Sequence, residues 1–171
     1  MNNIVLIGFM GAGKGSVGRV LADMTGKFTL DCDDLIESRL NKKIPQIFSE
    51  FGEAKFRQIE KDLAIFLQNN VQNAIISTGG GFYAVENLNQ IGKVIYLNRS
   101  FESILQSIKS SPNADKKIAK RPLLSDLQKA RELFDKRKDE YAKKADFIVH
   151  CDDKNTEQVA KEIINLLKDQ I

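Results

Sequence analysis

The turn Gly8-Phe9-Met10-Gly11-Ala12-Gly13-Lys14 has residue types and spacing suited to holding a phosphate chain. Four apolar residues, Ile4 to Ile7, run into it, and a helical pattern follows. Strand, G-x-x-x-x-G-K turn and helix start together make a phosphate-binding loop. Backbone N–H groups around Gly11, Ala12 and Gly13 can face phosphate oxygens, and the helix N-terminus adds partial positive charge. Lys14 supplies a full charge. The motif departs from its pattern once. The position after the lysine normally carries Ser or Thr, whose hydroxyl helps to hold Mg²⁺. Here it is Gly15, and a hydroxyl returns only at Ser16.

Further polar residues follow other apolar runs. Asp31-Cys32-Asp33-Asp34 comes after Phe28 to Leu30. Helix capping accounts for one of the three acids. Another could support Mg²⁺ through water, and another could accept a proton from a substrate hydroxyl. Asp31 and Asp33 would face one side if the strand ran through both. Gly79-Gly80-Gly81 follows Ala74 to Ile76. Three glycines mean either a backbone that approaches something closely or a turn with positive φ. Arg57, beside Phe56 at the start of a long amphipathic helix, reads by itself as a surface residue. Arg137 falls on the apolar stripe Leu127, Ala130, Phe134, Arg137, Tyr141. A guanidinium there needs an anion. A structural Asp or Glu and a substrate carboxylate are the two readings.

These residues must be positioned by a parallel sheet. Apolar runs recur at Ile4–Ile7, Phe28–Leu30, Ala74–Ile76, Val94–Leu97 and Phe147–Val149, mostly continuous, as in strands buried on both faces. Helical patterns lie between them: Val17, Val20, Leu21 and Met24; then Phe56, Ile59, Leu63, Phe66 and Leu67. Ser125 and Gln128 have capping-box spacing and open another helix, and Val159, Ile163 and Leu166 mark the last. Strand–helix alternation predicts an α/β fold with helices on both faces of a parallel sheet. The polar, basic stretch 110–124 reads as a lid over phosphates. At 171 residues, 42% apolar and 29% charged, the chain is expected to be one domain, 1–171. A net charge of +3 gives no case for nucleic acid or a membrane surface. Cys32 and Cys151 have no metal-type spacing and read as free thiols of the cytoplasm. The start Met1-Asn2-Asn3 lacks the basic segment of a signal peptide, and no apolar run is long enough to cross a bilayer.

The set Gly8-Phe9-Met10-Gly11-Ala12-Gly13-Lys14, Asp31-Cys32-Asp33, Phe56-Arg57, Gly79-Gly80-Gly81, Arg121-Pro122-Leu123-Leu124 and Lys136-Arg137 resembles bacterial shikimate kinase over nearly the whole chain. The resemblance implies a three-layer P-loop kinase of nucleoside-monophosphate-kinase type, with five parallel strands in the order 2-3-1-4-5. It implies transfer of the γ-phosphate of ATP to the 3-hydroxyl of shikimate, in the route to chorismate and aromatic amino acids. Asp33 would bind ring hydroxyls and act as base or orienting group. Arg57 and Arg137 would clamp the carboxylate, and Gly79, Gly80 and Gly81 would hold the substrate through backbone. Lys14 and Arg121 would offset phosphate charge, and Gly11, Ala12, Gly13, Gly15 and Ser16 would complete the ATP site. Asp31 would support Mg²⁺ through water, with Ser16 a weak substitute for the missing ligand at Gly15. A monomer is implied. Two other readings stand beside this one: a kinase for another small acid, such as gluconate, and a non-catalytic or weakly active relative, disarmed at Gly15.

Overall fold

The computed structural model describes residues 3–110 and 126–168. Strands β1 (Asn3–Ile7), β2 (Phe28–Asp31), β3 (Ala74–Ser77), β4 (Gly92–Asn98) and β5 (Phe147–His150) form one sheet in the order β2-β3-β1-β4-β5. Every neighbouring pair is parallel. Helices α1 (Lys14–Thr25), α2 (Cys32–Leu40), α3 (Ile44–Asn70), α4 (Leu88–Ile91), α5 (Phe101–Lys109), α6 (Leu127–Lys144) and α7 (Thr156–Lys168) alternate with them. This is the three-layer architecture and strand order that the resemblance implies.

The continuous apolar runs have a direct cause. Val5 and Ile7 of β1 enter one core with Phe56, Leu63, Phe101, Phe134 and Tyr141. Ile4 and Leu6 enter the other core with Val17, Leu21, Val159 and Ile163. A strand packed on both faces has no solvent side, so alternation disappears. The two edge strands differ. Phe28 on β2 is 85% exposed and Ile148 on β5 is 42% exposed, because each lacks a neighbour on one side. Three residues of the helical patterns also face solvent: Met24, Phe66 and Leu127.

Register brings the site together. Leu6 pairs with Ser77, and Ser77 with Asp31, so β1, β3 and β2 end in one row. The phosphate loop, the acids and the triple glycine therefore leave the sheet side by side. That row lies where the strand order reverses direction, the usual ligand crevice of such sheets. Thr78 fixes it further, because its N–H and hydroxyl both donate to the Leu6 carbonyl, at 3.2 and 2.9 Å. At the opposite end, the buried Asn3 amide donates to the carbonyls of Val71 and Ile91, both at 2.8 Å, and accepts from Ala74 N at 3.0 Å.

Ser125 lies outside the described residues. The cap seen on α6 is Asp126, whose carboxylate accepts from Lys129 N at 3.1 Å. Residues 111–124 of the lid reading, Arg121 included, also lie outside. α3 bends at Gly52, where φ is 76°, so its carboxyl-terminal arm carries Glu53, Arg57 and Glu60 at an angle of its own.

Candidate active site

The phosphate loop closes on itself. Gly13 caps α1 at φ 101°, a left-handed conformation that a side chain at this position would strain. The Lys14 ammonium donates to the carbonyls of Gly8 at 2.7 Å and Phe9 at 3.0 Å, which holds it over the loop. Lys14, Gly11 to Ser16, Asp31, Asp33, Thr78, Gly79 and Gly80 line one cleft of about 490 Å³. Arg99, Cys151 and Thr156 line it as well.

β2 ends at Asp31, and α2 begins at Cys32. The strand does not run through Asp33, so the condition for two acids on one strand face is not met. Asp31 is instead the helix cap: its Oδ1 accepts from Asp33 N at 2.9 Å and Asp34 N at 3.3 Å. Asp33 is brought into the cleft by the first turn of α2. Burial, then the charge of Asp31, pushes its carboxyl up to about 6; Lys14 pulls the other way, and Glu60 and Glu37 add to the rise. A carboxyl near 6 can exchange a proton close to neutral pH.

None of Gly79, Gly80 and Gly81 has positive φ. Close approach is the reason for them. A Cβ at Gly79 would sit 2.7 Å from Asp33 Oδ1, and one at Gly81 would sit 2.7 Å from Arg57 Cζ. The glycines thus let the protein's own acid and cation come close to the turn. The Gly80 carbonyl accepts from the Tyr141 hydroxyl at 2.6 Å and from Arg137 Nη1 at 3.1 Å.

Arg57 is not the surface residue its local sequence suggests. Its Nη1 meets Glu60 Oε2 at 2.5 Å and its Nη2 meets Glu53 Oε1 at 3.1 Å. Glu60 is 2% exposed. Burial pushes its carboxyl above the usual range, while its bond to Arg57 and the charge of Arg137 pull it down. Sequence reasoning missed Glu60, and the signal was present. It stands four residues after Phe56 and three before Leu63, on the buried stripe of α3. Arg137 has no ion pair within 4 Å among the described residues; its partner is the Gly80 carbonyl. The structural Asp or Glu that was one reading for it is not there. A half-buried cation hydrogen-bonded to a neutral carbonyl is suited to a carboxylate.

Gly15 offers no hydroxyl, and Ser16 Oγ accepts from Arg19 at 3.4 Å. Among the described residues, no group of three or more His, Cys, Asp or Glu can hold an ion. A cage made of protein alone does not fit. A hydrated Mg²⁺ carried on nucleotide phosphates does fit, because such ions need only one or two carboxylates and keep several waters. Asp31 lines the same cleft as the phosphate loop.

A phosphate loop at the centre of a parallel sheet, with Asp33 lining its cleft and two guanidiniums against the adjoining glycine turn, fits a P-loop phosphotransferase with a small acidic acceptor. Residues 10–168 match the family model described as shikimate kinase. A shikimate kinase of Helicobacter hepaticus is 42% identical over 171 residues, covering 100% of this chain and 99% of the relative. One of Lactococcus lactis is 41% identical over 166 residues, covering 94% and 95%. The solved structure of a shikimate kinase from Acinetobacter baumannii in complex with shikimate superposes with a TM-score of 0.87 at 34% identity, covering 99% of this chain and 94% of that one. The chain belongs to the shikimate kinase family.

Proposed function

We propose that this chain is a shikimate kinase that transfers the γ-phosphate of ATP to the 3-hydroxyl of shikimate, giving shikimate 3-phosphate and ADP. The observation that carries the proposal is that Asp33, Arg137 and Arg57 meet the successive glycines Gly79, Gly80 and Gly81, and that Asp33 lines the cleft of the phosphate loop. The guanidiniums take the acceptor's carboxylate. Asp33 orients the hydroxyl and receives its proton as the oxygen attacks phosphorus. The new O–P bond forms in line with the breaking bond to ADP, and positioning supplies much of the rate. Lys14 and the loop N–H groups offset charge on the phosphates, with Arg121 and the lid segment 110–124 assigned the same task on closure. Asp31, through water, would hold Mg²⁺, with Ser16 a weak substitute for the ligand missing at Gly15; the ion would neutralise phosphate charge. Glu60 keeps Arg57 aimed and is a positioning residue. The proposal extends to a single domain and a monomer in the cytoplasm, with no nucleic-acid or membrane partner. Among the described residues, no helix is long and apolar enough to cross a membrane.

The test is ADP release, coupled to a dehydrogenase, with MgATP and shikimate. Turnover that depends on shikimate is expected. A rate no greater than that with ATP alone, at saturating Mg²⁺, would sink the proposal. Gluconate in place of shikimate tests the other small-acid reading. The weakly active reading rests on Gly15; it predicts ligand binding without turnover.

A further inference from the structure

We infer that Arg19 binds the phosphate chain of the nucleotide, in the space that Gly15 leaves beside the loop, and makes nucleotide binding in this chain depend less on Mg²⁺. The inference rests on the kinase reading above. Gly15 is the second residue of α1, and Arg19 stands one turn later on the same face. Helical side chains lean toward the N-terminus, so Arg19 reaches back over Gly15. A Cβ at Gly15 would meet one heavy atom within 4 Å, Arg19 Nη1 at 3.7 Å. The guanidinium therefore lies beside the place where the usual hydroxyl would start. Its Nη2 donates to Ser16 Oγ at 3.4 Å. Arg19 lines the cleft that also holds Lys14 and Asp31.

Two facts turn this position into a binding role. Arg19 is exposed and has no ion pair within 4 Å among the described residues, so no carboxylate competes for it. A guanidinium also matches two phosphate oxygens at once, which an ammonium cannot do. Most exposed arginines serve as surface solvation; this one lines a phosphate cleft over a residue without a side chain. A fixed positive charge there attracts the phosphates and repels a divalent cation. The loss of the hydroxyl at Gly15 and the presence of Arg19 then act in one direction. Both lower the share of binding that the metal supplies.

The test is ADP binding by calorimetry, in Mg²⁺ and in EDTA, for the wild type, Arg19→Met and Gly15→Ser. Met keeps the aliphatic bulk and removes the charge, and the site is exposed, so folding is expected to survive; Arg19→Gln is the second variant. R19M is expected to bind ADP about tenfold more weakly in EDTA, the size of one charge-assisted contact. Its affinity for shikimate should not change, and its ADP affinity should depend less on salt than that of the wild type. G15S should widen the ratio of affinities in Mg²⁺ and EDTA, since a Cβ there meets only an ordinary contact. R19M and R19Q that bind ADP in EDTA as tightly as the wild type overturn the inference, as does an unchanged ratio in G15S. Wild-type protein that binds no ADP in Mg²⁺ overturns the kinase reading itself, a separate outcome.

Discussion

Asp33 is held against its own preference. Its carboxyl titrates at about 6 in the fold, against 3.8 for the free group. The folded chain thus binds this proton more tightly than the unfolded chain. Asp33's contribution to stability is full below about pH 4 and is lost as pH rises through about 6. Asp33→Asn removes the buried charge, and urea denaturation at pH 7 should show a gain of about 1–3 kcal/mol. The same variant should lose at least about a hundredfold in kcat, and wild-type kcat/KM should fall on the acid side near pH 6. A variant that is neither more stable nor slower contradicts this account. Glu60→Gln should raise the KM for shikimate more than it lowers kcat, because it frees Arg57 without touching the reacting atoms. At this scale the sequence was uneven. Arg137 was legible because a charge on an apolar stripe stands out. Glu60 also stands on one, but its role depends on Arg57, which by its local sequence alone is a solvated residue. Asp31 was legible only as one of three acids; which of them caps α2 depends on where β2 stops.

Whole elements decide what the glycine turn can do. α3 delivers Arg57 to Gly81, and α6 delivers Arg137 and Tyr141 to Gly80. Gly81→Ala places a methyl group 2.7 Å from Arg57 Cζ, so the guanidinium must move. The expected result is at least about a tenfold rise in the KM for shikimate, the worth of one charged contact. ADP affinity should hold, and a rise in both constants would mean that the turn itself had collapsed. Elements were legible where the pattern was local, as in the strand, loop and helix start of the phosphate site. The two readings of the triple glycine could not be separated from sequence, since the clashing atoms come from α2 and α3. The start of α6 was set at Ser125, while the cap that the structure describes is Asp126.

Across the whole molecule, the chemistry sits at one end of the sheet and a purely structural knot at the other. Asn3 joins the end of α3, the start of β3 and the end of α4 through three backbone groups. Asn3→Ala leaves those groups buried and unpaired, at a cost of about 2–4 kcal/mol. Thermal melting should show the loss, while KM and kcat at 25 °C stay near wild type. A kinetic defect without a stability defect would refute the separation of the two ends. The parallel sheet was legible because both cores draw alternate residues from the same runs, which erases polarity along the strand. Exposure of the edge strands was not legible, because strand order is a long-range property.

The Gly80 carbonyl holds two donors before any acceptor arrives. The resting protein is therefore its own competitor. On the proposed function, an acid would displace a neutral main-chain oxygen from Arg137 and offer a full negative charge in exchange, while Tyr141 would keep its bond to that oxygen. A neutral polyol of the same shape must break that bond with nothing comparable to give. On the proposed function, selection for acids would follow from the bond between Arg137 and Gly80, a threshold that a charged ligand crosses cheaply.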